Sequence, residues 1–505
     1  MTQAGNVLFI LIDQFRADLL HGALADHGDL PNLRSLMDDA VSFRQHYSVT
    51  NPCGPSRASI LTGQYMMNHR SVFNGAPLRH DTPNLATEMR KAGYNPMLFG
   101  YTDTSLDPRI HHPADPALRS YEQAMPGFDE IVEMRLEESF PWRAHLASKG
   151  YDLPDYARFY DPIPGQGEGR RVTDPAFYKA EDSDTAFLTD CCLNHLKVRQ
   201  DQDWFAHLTY IRPHPPLVAP APYNRMYDPE KLPLPRQKQP DQPDHPFQSV
   251  SERQKSASGF VTGFDDFEES EENIQALRAV YLGLATEVDH HIGRLIRFLQ
   301  ESGQYDDTLI VVGADHGEML GDFNAWGKMS YFDAAFHVPL IIRDPRNPSR
   351  HGTSVNEPTE SVDIMPTLLE WVGQTVPTSV NGRSLNPFLA GDIPEKWRQY
   401  SYSELSFGDP AEPTLWQDEL NLSLREADLA ILRKGPLTLV HFSGQLQPVL
   451  FDHEAEGELV NLAEEAAHAP ALLAMTQTLL SHRMQFADST LSRTKITDQG
   501  PVEGG

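Results

Sequence analysis

Val7-Leu8-Phe9-Ile10-Leu11-Ile12-Asp13-Gln14 is an unbroken apolar run that stops at a carboxylate and an amide. Leu309-Ile310-Val311-Val312-Gly313-Ala314-Asp315-His316 repeats that pattern far downstream. The first run is too short to span a bilayer. Its length and composition fit a strand buried on both faces, as in a parallel sheet. Similar short runs occur at 96–99, 204–208 and 338–342, and helical patterns fall between them at 84–92, 183–197 and 273–300. Strands alternating with helices predict an α/β fold: a large mixed, mostly parallel sheet sandwiched by helices. No Gly-rich fingerprint follows the first strand, which argues against a dinucleotide site.

Two stretches interrupt the alternation. Residues 107–174 and 213–264 are Pro-rich and too long for simple connections, so they read as surface excursions shaping the rim of a site. After Pro387 the pattern changes. Segments 400–405, 429–432, 437–442 and 449–451 alternate as antiparallel strands do, and 466–486 reads as a helix. The expected organisation is a catalytic domain over 1–387 carrying both insertions, an α+β subdomain over 388–486, and a tail over 487–505. That tail is polar and ends Pro-Val-Glu-Gly-Gly, so it is either mobile or an arm that clasps a partner subunit.

A net charge of -29 repels nucleic acid and anionic membranes, and excludes both as main partners. An anionic substrate would need a local cluster of cations to overcome that field. The 3 cysteines, Cys53, Cys191 and Cys192, form no disulfide framework and suit a reducing compartment. Cys191 and Cys192 sit in a helical pattern and read as core. The acidic run 265–272 reads as a solvated face. No basic stretch or small-residue cleavage site precedes Asn6, so the expectation is a soluble, cytoplasmic protein.

Ligands of open α/β sheets bind at the carboxyl ends of strands. Asp13, Gln14, Asp315 and His316 would converge there. Their oxygens suit a hard divalent cation such as Ca²⁺ or Mn²⁺. Each Asp taken alone reads first as the cap of a following helix; the matched pair with an adjacent His favours a metal. Cys53 lies in Asn51-Pro52-Cys53-Gly54-Pro55-Ser56-Arg57. A nucleophilic thiol needs a base. The nearest histidines, His46 and His69, lie outside this segment, and Arg57 never gives up its proton. The alternatives are a modification signal or a buried Cys beside a turn.

Cys53-x-Pro55-x-Arg57 resembles the sulfatase signature, in which the Cys is oxidised to formylglycine. Ala314-Asp315-His316-Gly317-Glu318-Met319-Leu320-Gly321-Asp322, followed by Trp326-Gly327-Lys328 and Val338-Pro339-Leu340, resembles the second sulfatase block. Asp363-Ile364-Met365-Pro366-Thr367, Leu450-Phe451-Asp452 and Asn461-Leu462-Ala463 also fit. The resemblance runs in order along nearly the whole chain and implies an alkaline phosphatase-like fold. Within that superfamily, Asp13-Gln14-Phe15-Arg16, Gly100-Tyr101-Thr102, Arg212-Pro213-His214-Pro215-Pro216, Ala221-Pro222-Tyr223 and Ala487-Asp488-Ser489-Thr490-Leu491 are most similar to the phosphonate monoester hydrolase and arylsulfatase group. Two departures are Asp103, where relatives carry His or Thr, and Phe323, where a His often follows Gly-Asp.

The resemblance implies a hydrolase of phosphonate monoesters, phosphodiesters or sulfate monoesters, acting on a small anionic ester through a covalent intermediate on modified Cys53. It implies one divalent metal held by Asp13, Gln14, Asp315 and His316, and maturation by a formylglycine-generating enzyme. Arg57 would orient the modified residue. Lys328 and Asn74 would bind the oxygens of the transferred group, His214 would assist the leaving oxygen, and Tyr101 would line the pocket. Asp103 is a candidate for the second step. A homo-oligomer, dimer or tetramer, is expected. The competing readings are an enzyme that is primarily an arylsulfatase, a two-metal phosphomutase or phosphatase of the same superfamily, and a non-catalytic binding protein.

Overall fold

The structure is a computed structural model that describes residues 5–136, 139–165, 169–199, 202–239, 244–488, 491–492 and 494–503. Its centre is an eight-stranded sheet. In spatial order the strands are Thr353–Val355, Val41–Phe43, Leu340–Arg343, Thr308–Ala314, Asn6–Ile12, Phe205–Tyr210, Pro96–Gly100 and Asp129–Glu133. The apolar run that opens the chain is the middle of this sheet, parallel to both neighbours.

Strand geometry sends alternate side chains to opposite faces. Leu8, Ile10 and Ile12 therefore enter one core, packed with the helix Glu271–Glu301. Val7, Phe9 and Leu11 enter the other, packed with the helices Leu85–Lys91 and Ile364–Trp371. All six are fully buried, and each contributes about 2 kcal/mol of hydrophobic stabilisation. Two apolar faces on one strand make the helical sandwich obligatory.

The structure corrects three local readings. The run 338–342, read with the parallel strands, forms the strand Leu340–Arg343, which is antiparallel to both of its neighbours within the expected mixed, mostly parallel sheet. The excursion 107–174 holds the edge strand Asp129–Glu133 and the helix Phe140–Ser148. That strand reads Asp-Glu-Ile-Val-Glu; its charges blunt an exposed edge and hide it from an apolar-run search. The excursion 213–264 holds the helix Pro246–Gln254, opened by a Pro in its first turn.

A second sheet is made from Ser401–Ser406, Asp428–Lys434, Leu437–Phe442 and Val449–Asp452, all antiparallel, plus Thr50–Asn51. Thr50–Asn51 lies immediately before Cys53 and runs parallel to Ser401–Ser406, with Glu404 opposite Thr50. The C-terminal sheet thus grips the segment that leads into Cys53. The helix Ala469–Phe486 covers this sheet through Met475 and Leu479. The tail forms a hairpin of Thr494–Thr497 and Gly500–Glu503. Ser489 and Thr490 of the quoted tail motif lie outside the described residues. Among the described residues no helix is long and apolar enough to cross a membrane.

Candidate active site

Register places the first elements of the site. Ile12 pairs with Ala314 on adjacent parallel strands, so Asp13 and Asp315 leave the sheet side by side at its carboxyl edge. Gln14 then turns with φ +63, and its backbone N–H donates to Asp315 Oδ1 at 3.1 Å. His316 follows directly.

Cys53 opens the helix Cys53–Thr62, in which every residue is buried. Its Sγ lies 3.1 Å from Lys328 Nζ, 3.2 Å from His316 Nε2 and 3.8 Å from Asp13 Oδ1. Burial, with Asp13 alongside, pushes the thiol well above its ordinary value. It is a protonated thiol at neutral pH, hence a poor nucleophile as it stands. Burial works against the charge of Lys328, but the buried carboxylates of Asp13 and Asp315 outweigh it and keep the ammonium protonated.

Arg57 lies one helical turn beyond Cys53. Its Nε donates to Asp315 Oδ2 at 3.0 Å, and its Nη2 donates to Asp13 Oδ2 at 3.0 Å and to the Tyr101 hydroxyl at 2.9 Å. The guanidinium also stacks 4.1 Å from the Tyr101 ring centroid, and the Tyr101 hydroxyl donates to Asp13 Oδ2. Asp103 Oδ2 stands 3.6 Å from Arg57 Nε. Its Oδ1 is buried without a hydrogen-bond partner. Burial pushes the Asp103 carboxyl well above its ordinary range, and Asp13 and Glu122 add to that shift against Arg57.

Asn74 Oδ1 accepts from the Gly54 N–H at 2.9 Å. A Cβ at Gly54 would meet Asn74 Oδ1 at 3.1 Å and the Asp103 carbonyl at 3.2 Å, so Gly keeps both loops close to the head of the Cys53 helix. His214 Nδ1 donates to the Pro215 carbonyl at 2.6 Å, which leaves Nε2 unprotonated in the neutral ring. Burial and then Lys328 lower its pKa to about 3.

Glu318 received no role from the sequence, although it lies in the quoted second block. Its carboxylate accepts from the N–H groups of Leu320 at 2.8 Å and Gly327 at 2.7 Å, and from the Gln14 amide. It thereby fixes the turn that presents Lys328. Arg212, also inside a quoted block, donates to the carbonyls of His214 and Pro216 at 3.0 and 2.9 Å while its Nε pairs with Asp184 at 2.9 Å. It holds the His214 loop. The block itself was the available signal for both residues; what each side chain bonds to depends on the folded loops.

The donor set fits a divalent cation. Ligand atoms of Asp13, Cys53, Asp315 and His316 all lie within 4.8 Å of one another, and all four residues are buried. Among the described residues no other group of three or more His, Cys, Asp or Glu side chains gathers in this way. Burial and then Asp13 push the Asp315 carboxyl up to about 7, a repulsion that a cation between the two carboxyls would remove. His316 Nδ1 donates to the Gly317 carbonyl at 3.0 Å, so Nε2 presents its lone pair inward, as a metal-ligating His does. Gln14 Oε1 adds an amide oxygen and accepts from Lys328 Nζ at 2.9 Å.

The Sulfatase family profile matches residues 5–374. The chain belongs to the sulfatase family. This sulfatase is 38% identical, over 98% of both chains, to the multifunctional alkaline phosphatase superfamily protein PehA of Trinickia caryophylli. Its fold superposes on the phosphonate monoester hydrolase of Silicibacter pomeroyi with a TM-score of 0.97 at 60% identity, covering 99% of each chain. The phosphonate monoester hydrolase of Agrobacterium radiobacter gives a TM-score of 0.92 at 35% identity, over 99% of this chain and 100% of that one. The sulfatase is therefore a hydrolase acting on ester bonds, in a family that carries a metal ion and a formylglycine-type cysteine.

Proposed function

We propose that this sulfatase cleaves phosphonate monoesters, phosphodiesters and sulfate monoesters, with Cys53 converted to formylglycine. The carrying observation is the placement of Cys53. Its thiol is buried and protonated between His316 Nε2 and Lys328 Nζ, inside a Cys-x-Pro-x-Arg sequence, so the unmodified side chain is in the right place but chemically inert. The solved phosphonate monoester hydrolases at 60% and 35% identity support the ester class.

Asp13, Gln14, Asp315 and His316 would hold one divalent ion, Ca²⁺ or Mn²⁺, which supplies Lewis-acid polarisation of the substrate and lowers the pKa of the attacking hydroxyl. The hydrated aldehyde of formylglycine provides that hydroxyl. Arg57 fixes residue 53 from within its own helix and balances Asp13 and Asp315. Lys328, already aimed at Sγ, and Asn74 stabilise the oxygens of the transferred group, an electrostatic contribution set in place before reaction. His214 assists the leaving oxygen. Tyr101 braces Asp13 and Arg57 and walls the pocket. Asp103, the buried acid beside Arg57, serves the second step.

A formylglycine-generating enzyme is the maturation partner. A small anionic ester is the substrate, and cytoplasmic residence suits the free thiols. We read 388–486 as a subdomain that braces the segment before Cys53. A homo-oligomer, dimer or tetramer, fits the outer face of Ala469–Phe486, where Leu473, Leu480 and Met484 are exposed; Ile496 and Val502 of the tail are exposed as well. Light scattering that gives the 56.8 kDa monomer mass at micromolar protein would overturn the oligomer reading.

Intact mass tests the modification, because exchange of sulfur for oxygen with loss of two hydrogens lowers the mass by about 18 Da, whereas ordinary Cys oxidation raises it. A panel of an aryl sulfate, a phenylphosphonate monoester and a phosphodiester then orders the substrates. Turnover of the aryl sulfate alone would make this an arylsulfatase. Two tightly bound metals per active chain would move the reading to the two-metal phosphomutase type.

A further inference from the structure

Lys255 lies in the insertion 213–264, directly after the helix Pro246–Gln254. That helix is firmly seated. Phe247 stacks on Trp416 at 5.3 Å, and Arg253 pairs with Glu419. From its end the Lys255 side chain crosses Gly327, where a Cβ would stand 3.4 Å from Lys255 Cδ and 3.7 Å from the Phe260 ring. Gly327 is the residue before Lys328. The Phe260 carbonyl accepts from the Leu217 N–H at 2.7 Å, which ties this part of the insertion to the loop carrying His214. Lys255 is open to solvent, yet neighbouring protein partly desolvates its ammonium. Burial and then Lys328 lower its pKa, and Glu318 and Cys53 lie within reach of its charge.

Among the described residues, no carboxylate lies within 4 Å of its ammonium and no hydrogen bond satisfies it. The nearby Glu318 is already occupied by two backbone N–H groups and Gln14. Two lysines on one side of a site, in a chain of net charge -29, repel each other until an anion enters beside them. We propose that Lys255 is a substrate-binding residue, a second cation that closes the solvent side of the site beside Lys328 and holds a charged oxygen of the bound ester. This rests on the hydrolase reading given above. Lys328 serves the reacting oxygens from the buried side; Lys255 sets charge preference from the open side.

The test uses the metal-loaded, modified enzyme with Lys255→Met, which keeps an apolar stem, and Lys255→Arg, which keeps the charge. Two aryl esters of one alcohol are compared: a phosphonate monoester with one negative charge and a phosphate monoester with nearly two. Inorganic phosphate binding is measured by calorimetry. Lys255→Met should raise KM and the phosphate Kd by about tenfold, more for the dianionic ester, with kcat changed by less than about threefold; Lys255→Arg should restore most of the loss. Unchanged KM and Kd in Lys255→Met would overturn the proposal, as would a loss confined to kcat that Lys255→Arg does not restore. Phosphate binding that depends on Lys255 in an enzyme that turns over none of the esters would support this inference while overturning the hydrolase reading.

Discussion

Arg57 is buried against three carboxylates and Arg398 against two, yet only the first cluster gathers around Cys53. Around Arg398 every carboxylate oxygen is used. Asp363 accepts from both Arg398 nitrogens, from the Glu360 N–H at 2.8 Å and from the Arg383 N–H at 2.8 Å. Glu360 accepts from the Tyr65 hydroxyl at 2.5 Å and the Tyr402 N–H at 2.7 Å. Around Arg57 the accounting does not close. Asp13 Oδ1 has only the Cys53 thiol at 3.8 Å and His316 Nε2 at 3.7 Å, and Asp103 Oδ1 has no hydrogen-bond partner. Both clusters set a buried arginine and a tyrosine hydroxyl among buried carboxylates. The difference lies in lone pairs left over beside Cys53. A buried ion pair by itself says little about function; unspent acceptors around it say a great deal.

The sharpest way to break this contrast is to remove Cys53, the residue proposed for modification. Cys53→Ala should lose several orders of magnitude in turnover, with the thermal midpoint and metal content of the wild type. Activity retained within tenfold would end the formylglycine reading. Asp315→Ala should lose bound metal, by elemental analysis, together with activity. On the structural side, Asp363→Asn should cost about 3–5 kcal/mol of unfolding free energy while leaving kcat per folded molecule unchanged; a metal-binding defect in this variant would erase the distinction between the two clusters.

A third buried cluster, Arg212 with Asp184 and Glu287, lies between them in character. Burial and then Asp184 push the Glu287 carboxyl up to about 8 from an ordinary 4.5. The sign follows directly. The folded state holds this proton more tightly than the unfolded chain, so its contribution to stability is full below the unfolded pKa and is lost as pH rises through the folded one. Glu287→Gln should therefore flatten the decline in stability between about pH 5 and pH 8. It should be the more stable protein at the upper end by on the order of a few kcal/mol, as read by denaturant titration across that window. Parallel pH profiles of the two proteins would show that Glu287 is ionised in the fold.

The legible parts of the sequence were those written in short-range pattern. The strands ending in Asp13 and Asp315 announce themselves as apolar runs, and their parallel register brings the two carboxylates together. The edge strand Asp129–Glu133 stayed hidden because an edge needs charges rather than apolar residues. The antiparallel direction of Leu340–Arg343 is set by its sheet neighbours and leaves no mark on its composition. Likewise Thr50–Asn51 joins the C-terminal sheet by backbone pairing alone, which no side-chain pattern encodes. In the site, residue types and motif order named Cys53, Arg57, Lys328 and His214. The duties of Glu318 and Arg212 are carried by hydrogen bonds to backbone groups distant in sequence or in turns, and these are visible only in the folded chain.

Asp103 offers the smallest expected effect and the finest discrimination. A surface Asp capping a turn would be solvated, but Asp103 is only 6% exposed, takes φ +48 and stands against Arg57. A non-Gly residue held there in the left-handed region costs about 1 kcal/mol or more, a cost that clusters at functional sites. If it accepts a proton as the covalent intermediate collapses, Asp103→Asn keeps the shape but loses the acid–base step. Formation of the intermediate should then run at nearly the wild-type rate while its breakdown slows by about tenfold. Rapid mixing should show a burst of released alcohol followed by slow turnover. A variant with no burst and normal turnover would make Asp103 a partner of Arg57 alone, and would place it with the closed cluster around Arg398 rather than with the open one.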